Sequence, residues 1–113
     1  MAFNVSLEMT DKGIAKIALA GELDGNVAPA FRTEVENAAA QSAKRLVLLM
    51  KDLEYMSSAG LRVLVFAKQK MGASVDIYAI GVREEVMETI TMTGLHHSIV
   101  LLDEYDAAQI ENI

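Results

Sequence analysis

The chain has 113 residues, 52% of them hydrophobic, and a net charge of −6. That length suits one domain spanning residues 1–113 with its own core, and the composition excludes a disordered chain. The absence of cysteine excludes disulfides, thiol catalysis and a zinc site of the usual cysteine type. Ten scattered lysines and arginines make no basic stripe, so direct DNA binding is not expected, whereas an acidic surface fits a basic protein partner. Apolar runs such as Leu46–Met50 stay far short of the ~20 residues of a membrane span. The opening Met-Ala-Phe-Asn-Val lacks the basic-then-apolar order of a signal peptide. The expectation is a cytoplasmic protein without membrane insertion.

Phe3–Met9 alternates apolar and polar residues, the pattern of a half-buried strand. Thr10-Asp11-Lys12-Gly13 is turn chemistry, and Ile14–Ala20 returns as a second strand, giving an antiparallel hairpin. An acidic loop, Gly21-Glu22-Leu23-Asp24, leads to a helix over Val27–Gln41. There Val27, Phe31, Val35 and Ala38/Ala39 form an apolar stripe, Pro29 sits in the first turn, and Arg32, Glu34 and Glu36 read as a solvated face.

Arg45–Met50 is a third strand, apolar enough to be buried on both faces. A second helix covers Leu61–Met71 and ends at Gly72. At ~100° per residue, Leu61, Leu64, Ala67 and Met71 point inward, and Arg62, Gln69 and Lys70 point outward. Phe66 falls between Arg62 and Lys70, either as a partner contact or as a ring half covered by a neighbouring loop. Val75–Ile80 is a fourth strand, parallel to the third because a helix joins them. Arg83–Thr93 is a third helix with Val86, Met87 and Ile90 inward, Ile99–Leu102 a fifth strand, and Asp103–Ile110 a short closing helix. The predicted class is α/β, with a mixed, mostly parallel sheet of about five strands and about four helices packed against it, starting with an antiparallel hairpin.

Chemistry concentrates between the third strand and the second helix, in Asp52-Leu-Glu-Tyr-Met-Ser-Ser-Ala-Gly-Leu-Arg62. A serine here caps the helix through its oxygen, and Ala59 and Gly60 let the chain turn sharply. It stands at the C-terminal end of a strand, the edge where ligands and modifications sit in open α/β sheets. His96 and His97 are adjacent, with no ligand-type residue at metal spacing. Met9, Met50, Met71 and Met87 fall at core positions. Neither a Walker loop nor a dinucleotide fingerprint is present, and no cofactor is expected.

This stretch resembles the signature of the STAS domain family (sulfate transporter and anti-sigma factor antagonist). Its small soluble members carry Asp-Leu, then an apolar residue, Asp-Ser-Ser or Asp-Ser-Thr, and Gly-Leu. Gly21-Glu-Leu-Asp24 is a second point of resemblance, to the Gly-x-Leu-Asp that precedes the first helix in the family. Aligned on Met56, Gly60 and Leu61, Ser58 falls on the serine that partner kinases phosphorylate. Ser57 stands where many members have Asp, and Ala59 where many have Ser or Thr; Ser57 is therefore the alternative acceptor.

The resemblance implies a switch without catalytic activity. Its unphosphorylated form would bind an anti-sigma factor, itself a GHKL-type serine kinase, and release a sigma factor. Phosphate on Ser58 would end binding, and a phosphatase would reset it. Asp24, Ser57, Ser58, Ala59, Gly60, Arg62 and Phe66 are the candidate partner-binding residues, with helix or turn capping the other reading of Asp24. Arg62, one turn beyond Ser58, could reach the phosphate. Stand-alone STAS proteins also serve as ATPase-clasping subunits of ABC-type lipid transport complexes, the alternative role. An enzyme built on Ser58, Asp24 and a histidine would need a base held by an orienting group, which the sequence does not assign.

Overall fold

The structure, a computed structural model, describes residues 3–112. Alternation in the first strand and the turn after it produce the expected hairpin. Strand β1 (Asn4–Met9) pairs antiparallel with β2 (Ile14–Leu23), from Asn4 opposite Ala20 to Met9 opposite Ala15. Thr10 closes the turn twice: its backbone N–H donates to the Ile14 carbonyl at 3.0 Å, and its hydroxyl accepts from the Ile14 N–H at 3.2 Å. Gly13 takes φ +82° there, a conformation that disfavours any side chain.

From β2 onward helices and strands alternate: α1 (Ala28–Ala40), β3 (Arg45–Met56), α2 (Ser58–Met71), β4 (Asp76–Ile80), α3 (Glu84–Met92), a 3-10 turn at Leu95–His97, β5 (Val100–Leu102) and α4 (Ala107–Ile110). Among the described residues the strands form one sheet in the order β1-β2-β3-β4-β5, parallel from β2 to β5. Each parallel strand lies beside its predecessor, so right-handed crossovers place α1, α2 and α3 on one face. Phe31 and Val35 of α1, Leu64 of α2 and Ile90 of α3 pack there against Ile17, Leu48 and Ile77. The opposite face buries Ile14, Val47, Tyr78 and Ile80 beneath Ile110 of α4. Arg45 ties the C-terminal segment down, its Nε donating to the Ile110 carbonyl and an Nη to the Asn112 carbonyl, each at 3.1 Å. Both faces of β3 are thus covered over Leu46–Leu48, as its unbroken apolar run requires.

Two strands run further than their sequence suggests. β2 includes Gly21, Glu22 and Leu23, expected as loop, and β3 continues past Met50 to Met56. The reason is two register shifts. Ala18 pairs with Leu49 but Ala20 with Asp52, and Gly21 pairs with Leu53 but Glu22 with Tyr55. Each shift puts an extra residue into β3, as in a β-bulge. The inward residues therefore change spacing from two (Leu46, Leu48, Met50) to three (Leu53, Met56), which hides the strand from a search for alternation.

Smaller departures are local. Val27 and Gln41 cap α1 instead of lying inside it, and the closing helix shrinks to Ala107–Ile110, capped by Asp106 accepting from the Gln109 N–H at 3.3 Å. Met50 is fully buried, but Met9, Met71 and Met87 are half-buried. No helix among the described residues is long and apolar enough to cross a membrane.

Candidate functional site

The long β2–β3 arm carries the site. At its tip the Ser57 N–H donates to the Leu23 carbonyl at 2.8 Å, so the end of β2 and the start of α2 are held together. Ser57 is extended (φ −81°, ψ 173°) and caps α2, its Oγ accepting from the Gly60 N–H at 3.3 Å. Its carbonyl accepts from the Leu61 N–H at 3.0 Å. Ser57 is half-buried, while Ser58, the first residue of α2, is exposed. The adjacent hydroxyls are thus separated: one holds a helix end, and the other faces outward.

Gly60 is not part of a turn. It lies inside the first turn of α2, and its conformation is not left-handed. A Cβ there would stand 2.7 Å from Leu23 Cγ and 3.1 Å from Met56 Cγ. The glycine lets α2 settle directly on the arm.

Asp24 makes a tight turn between β2 and α1. Its Oδ1 accepts from the N–H groups of Asn26 at 2.9 Å and Val27 at 3.3 Å, and its carbonyl accepts from the Ala28 N–H at 3.0 Å. This turn brings Gly25 against Ala59, where a Cβ on Gly25 would lie 4.0 Å from the Ala59 Cβ. Asp24 therefore belongs to the same end of the molecule as Ser57 and Ser58, and here it caps the loop.

A groove of about 290 Å³ separates the starts of α1 and α2, lined by Gly25, Pro29, Arg32, Ala59 and Arg62. Val63, absent from the expected inward set, is buried beside it. Arg32 is more than a solvated charge: its guanidinium sits 4.1 Å from the centre of the Phe66 ring and reaches Glu36 at 4.0 Å. Phe66 is half-buried, with the guanidinium of this helix residue over its ring. Arg32 and Gly25 were missed because their partners lie on another element, and nothing local in the sequence marks the pairing.

His96 and His97 lie in the 3-10 turn before β5, with ring centroids 3.9 Å apart. Since β5 is parallel to β3, that turn is at the opposite edge of the sheet from Ser58. Among the described residues no cluster of histidine and carboxylate side chains could hold a metal. A larger, open cleft of about 1030 Å³ lies on the other face of the sheet, between Leu49, Lys51, Ile80, Arg83 and Tyr105. It does not reach the serines, so its size alone does not make it the site.

The family model described as the STAS domain matches residues 9–108. The chain belongs to the STAS family. It is 26% identical over 83 residues to the anti-sigma-F factor antagonist RsfB of Mycobacterium tuberculosis, covering 74% of this chain and 68% of that protein. The crystal structure of an anti-sigma factor antagonist from Mycobacterium paratuberculosis superposes with a TM-score of 0.85, at 25% identity over 96% of this chain and 92% of that one. SpoIIAA, the Bacillus cell fate determinant, solved in its phosphorylated form, gives 0.72 at 20% identity over 94% and 97%. The last likeness is one of fold. The stretch that resembles the STAS signature is the β3–α2 junction, and Gly21-Glu-Leu-Asp24 is the end of β2 with the first residue of the turn after it.

Proposed function

We propose that this STAS chain is a phosphorylation-controlled binding switch of one domain, acting in the cytoplasm and having no catalytic activity of its own. Its unmodified form binds an anti-sigma factor that is also a GHKL-type serine kinase, and so releases a sigma factor. The kinase phosphorylates Ser58, the complex ends, and a phosphatase restores the hydroxyl. The observation that carries this reading is the exposed Ser58 beside a Ser57 hydroxyl already occupied in capping α2. The relationship to named anti-sigma factor antagonists supports it.

The physical basis is charge. A phosphate adds about −1.5 to −2 charges and three strong acceptor oxygens. The positive end of α2 tolerates that charge, so the fold need not change. A partner surface shaped for a neutral hydroxyl then loses a hydrogen bond and faces a desolvated dianion. Such a change costs several kcal/mol, and ~1.4 kcal/mol is a tenfold loss of affinity. Glu22, Asp24, Asp52 and Glu54 at the same end of the arm favour a partner with a basic face. An enzymatic use of Ser58 with a histidine as base would require that base near it, and both histidines stand at the other edge of the sheet.

The test pairs the chain with serine kinases of its own host and ATP, followed by intact mass and binding. Wild type should gain one phosphate, Ser57→Ala should still gain it, and Ser58→Ala should bind without modification. Ser58→Asp should bind poorly. Wild-type binding by Ser58→Asp, with no phosphate taken up from any kinase, would reject the reading. Stable co-purification with a transporter ATPase in that case would point to the ABC-complex role.

A further inference from the structure

The proposed phosphate acceptor has a cation one helical turn away. Ser58 is the first residue of α2 and Arg62 the fifth, and residues at this spacing have Cβ atoms about 5–6 Å apart. Both side chains are exposed. An acidic group N-terminal to a basic one is the favourable order for such a pair. Arg62 makes no hydrogen bond or ion pair among the described residues, whereas Arg32, across the groove, is engaged by the Phe66 ring and Glu36.

Carboxylates gather at this end: Asp24 in the β2–α1 turn, Glu22, Asp52 and Glu54 on the arm, and Glu88 on α3, next to the Thr89 hydroxyl that donates to the Met56 carbonyl. Lys51 and Arg83 line the cleft on the other face of the sheet. On the α1–α2 side of this end, a dianion added to Ser58 therefore meets an uncommitted cation in Arg62, one turn along its own helix.

We infer that Arg62 is the built-in counter-ion of a phosphate on Ser58, an inference that rests on Ser58 being the acceptor. Modification then alters two groups of the docking face together. The hydroxyl becomes a dianion, and the guanidinium turns toward it in a charge-assisted, bidentate pair. A partner that touched both Ser58 and Arg62 loses a neutral contact and a cation in one event. The pair also limits the repulsion between the phosphate and the carboxylates around it.

The test installs phosphoserine at position 58 during synthesis, through an expanded genetic code, so no kinase is needed. Phosphorus NMR then follows the second ionisation of the phosphate against pH in wild type, Arg62→Gln, Arg62→Lys and Lys70→Gln. The midpoint should be lower in wild type than in Arg62→Gln by ~0.5 pH unit, about a threefold change in the ionisation constant. Arg62→Lys should fall between them, Lys70→Gln should match wild type, and ~0.5 M salt should narrow the gap. In wild type the Arg62 Nε–H resonance should also move on phosphorylation, a readout that needs no variant to fold. Equal midpoints and an unmoved resonance overturn the counter-ion while leaving Ser58 as acceptor. Failure of any kinase to modify the unaltered chain rejects the acceptor itself, whatever the titration shows.

Discussion

Gly60 and Leu23 meet so closely that a Cβ on the glycine would lie 2.7 Å from the leucine Cγ and 2.8 Å from its Cδ2. Leu23 is fully buried and cannot swing aside. Gly60→Ala sets two effects against each other. Alanine gains about 1 kcal/mol over glycine in a helix interior, but overpacking a filled core costs about 1–3 kcal/mol. The contact involves the branched carbon of Leu23 as well as a terminal methyl, so the second effect should prevail. Urea denaturation should show Gly60→Ala less stable than wild type by up to about 2 kcal/mol. Equal or greater stability would mean that α2 rises off the arm without cost.

Ser57 and Ser58 should separate cleanly in stability. Ser57→Ala removes the acceptor of the Gly60 N–H, and loss of a serine N-cap costs about 0.5–2 kcal/mol. Ser58→Ala alters an exposed side chain without a hydrogen bond among the described residues and should stay within about 0.5 kcal/mol of wild type. Thermal unfolding of the two variants in one buffer checks this. A larger loss for Ser58→Ala would show that its hydroxyl serves the fold.

The residues that could be read from the sequence act through their own type and their near neighbours. Ser57 caps because a serine precedes a helical pattern, Thr10–Gly13 turns because of its own residue types, and Leu46–Leu48 is buried because it has no polar alternation. The extension of β3 escaped because its inward residues step from Met50 to Leu53 to Met56, a spacing that suits neither strand nor helix. Gly60 reads locally as a turn residue, but the need for it comes from Leu23, 37 positions earlier in the chain. The covering of Phe66 by Arg32 and of Val47 by Ile110 depends on how whole elements pack, information that no single segment holds.

Leu53 tests the bulged half of β3. It is fully buried, while its neighbour Glu54 is exposed. Leu53→Ala should cost about 2–5 kcal/mol, the usual range for truncating a buried leucine. Glu54→Ala should change stability by no more than about 0.5 kcal/mol. Chemical denaturation of both variants decides between a strand and a loose signature loop, since a loop residue at position 53 would tolerate the truncation.

Tyr105 closes the C-terminal segment on itself over the face of the sheet that α4 covers, its Oη donating to Glu111 Oε2 at 2.6 Å. Lys16 Nζ stands 4.4 Å from the Tyr105 ring centre, and Lys12 pairs with Glu111 at 3.5 Å. Burial, the bond to Glu111 and the nearby carboxylates push the phenol up from its ordinary 10 to about 12. The same bond, with Lys12 adding to it, holds the Glu111 carboxyl below its ordinary 4.5. The tyrosine favours its neutral form in the folded state, so its contribution is present below pH 10 and is lost as pH rises through about 12. The glutamate favours its ionised form, so its contribution is present above 4.5 and is lost as pH falls through its lowered folded value. Tyr105→Phe should therefore be less stable than wild type by an amount that is constant between about pH 6 and 9 and shrinks at both extremes. Subtracting its phenolate absorbance curve from that of wild type should isolate one tyrosine titrating near about 12. A difference curve centred at the ordinary value of 10 would show that this bond does not hold the C-terminal segment closed.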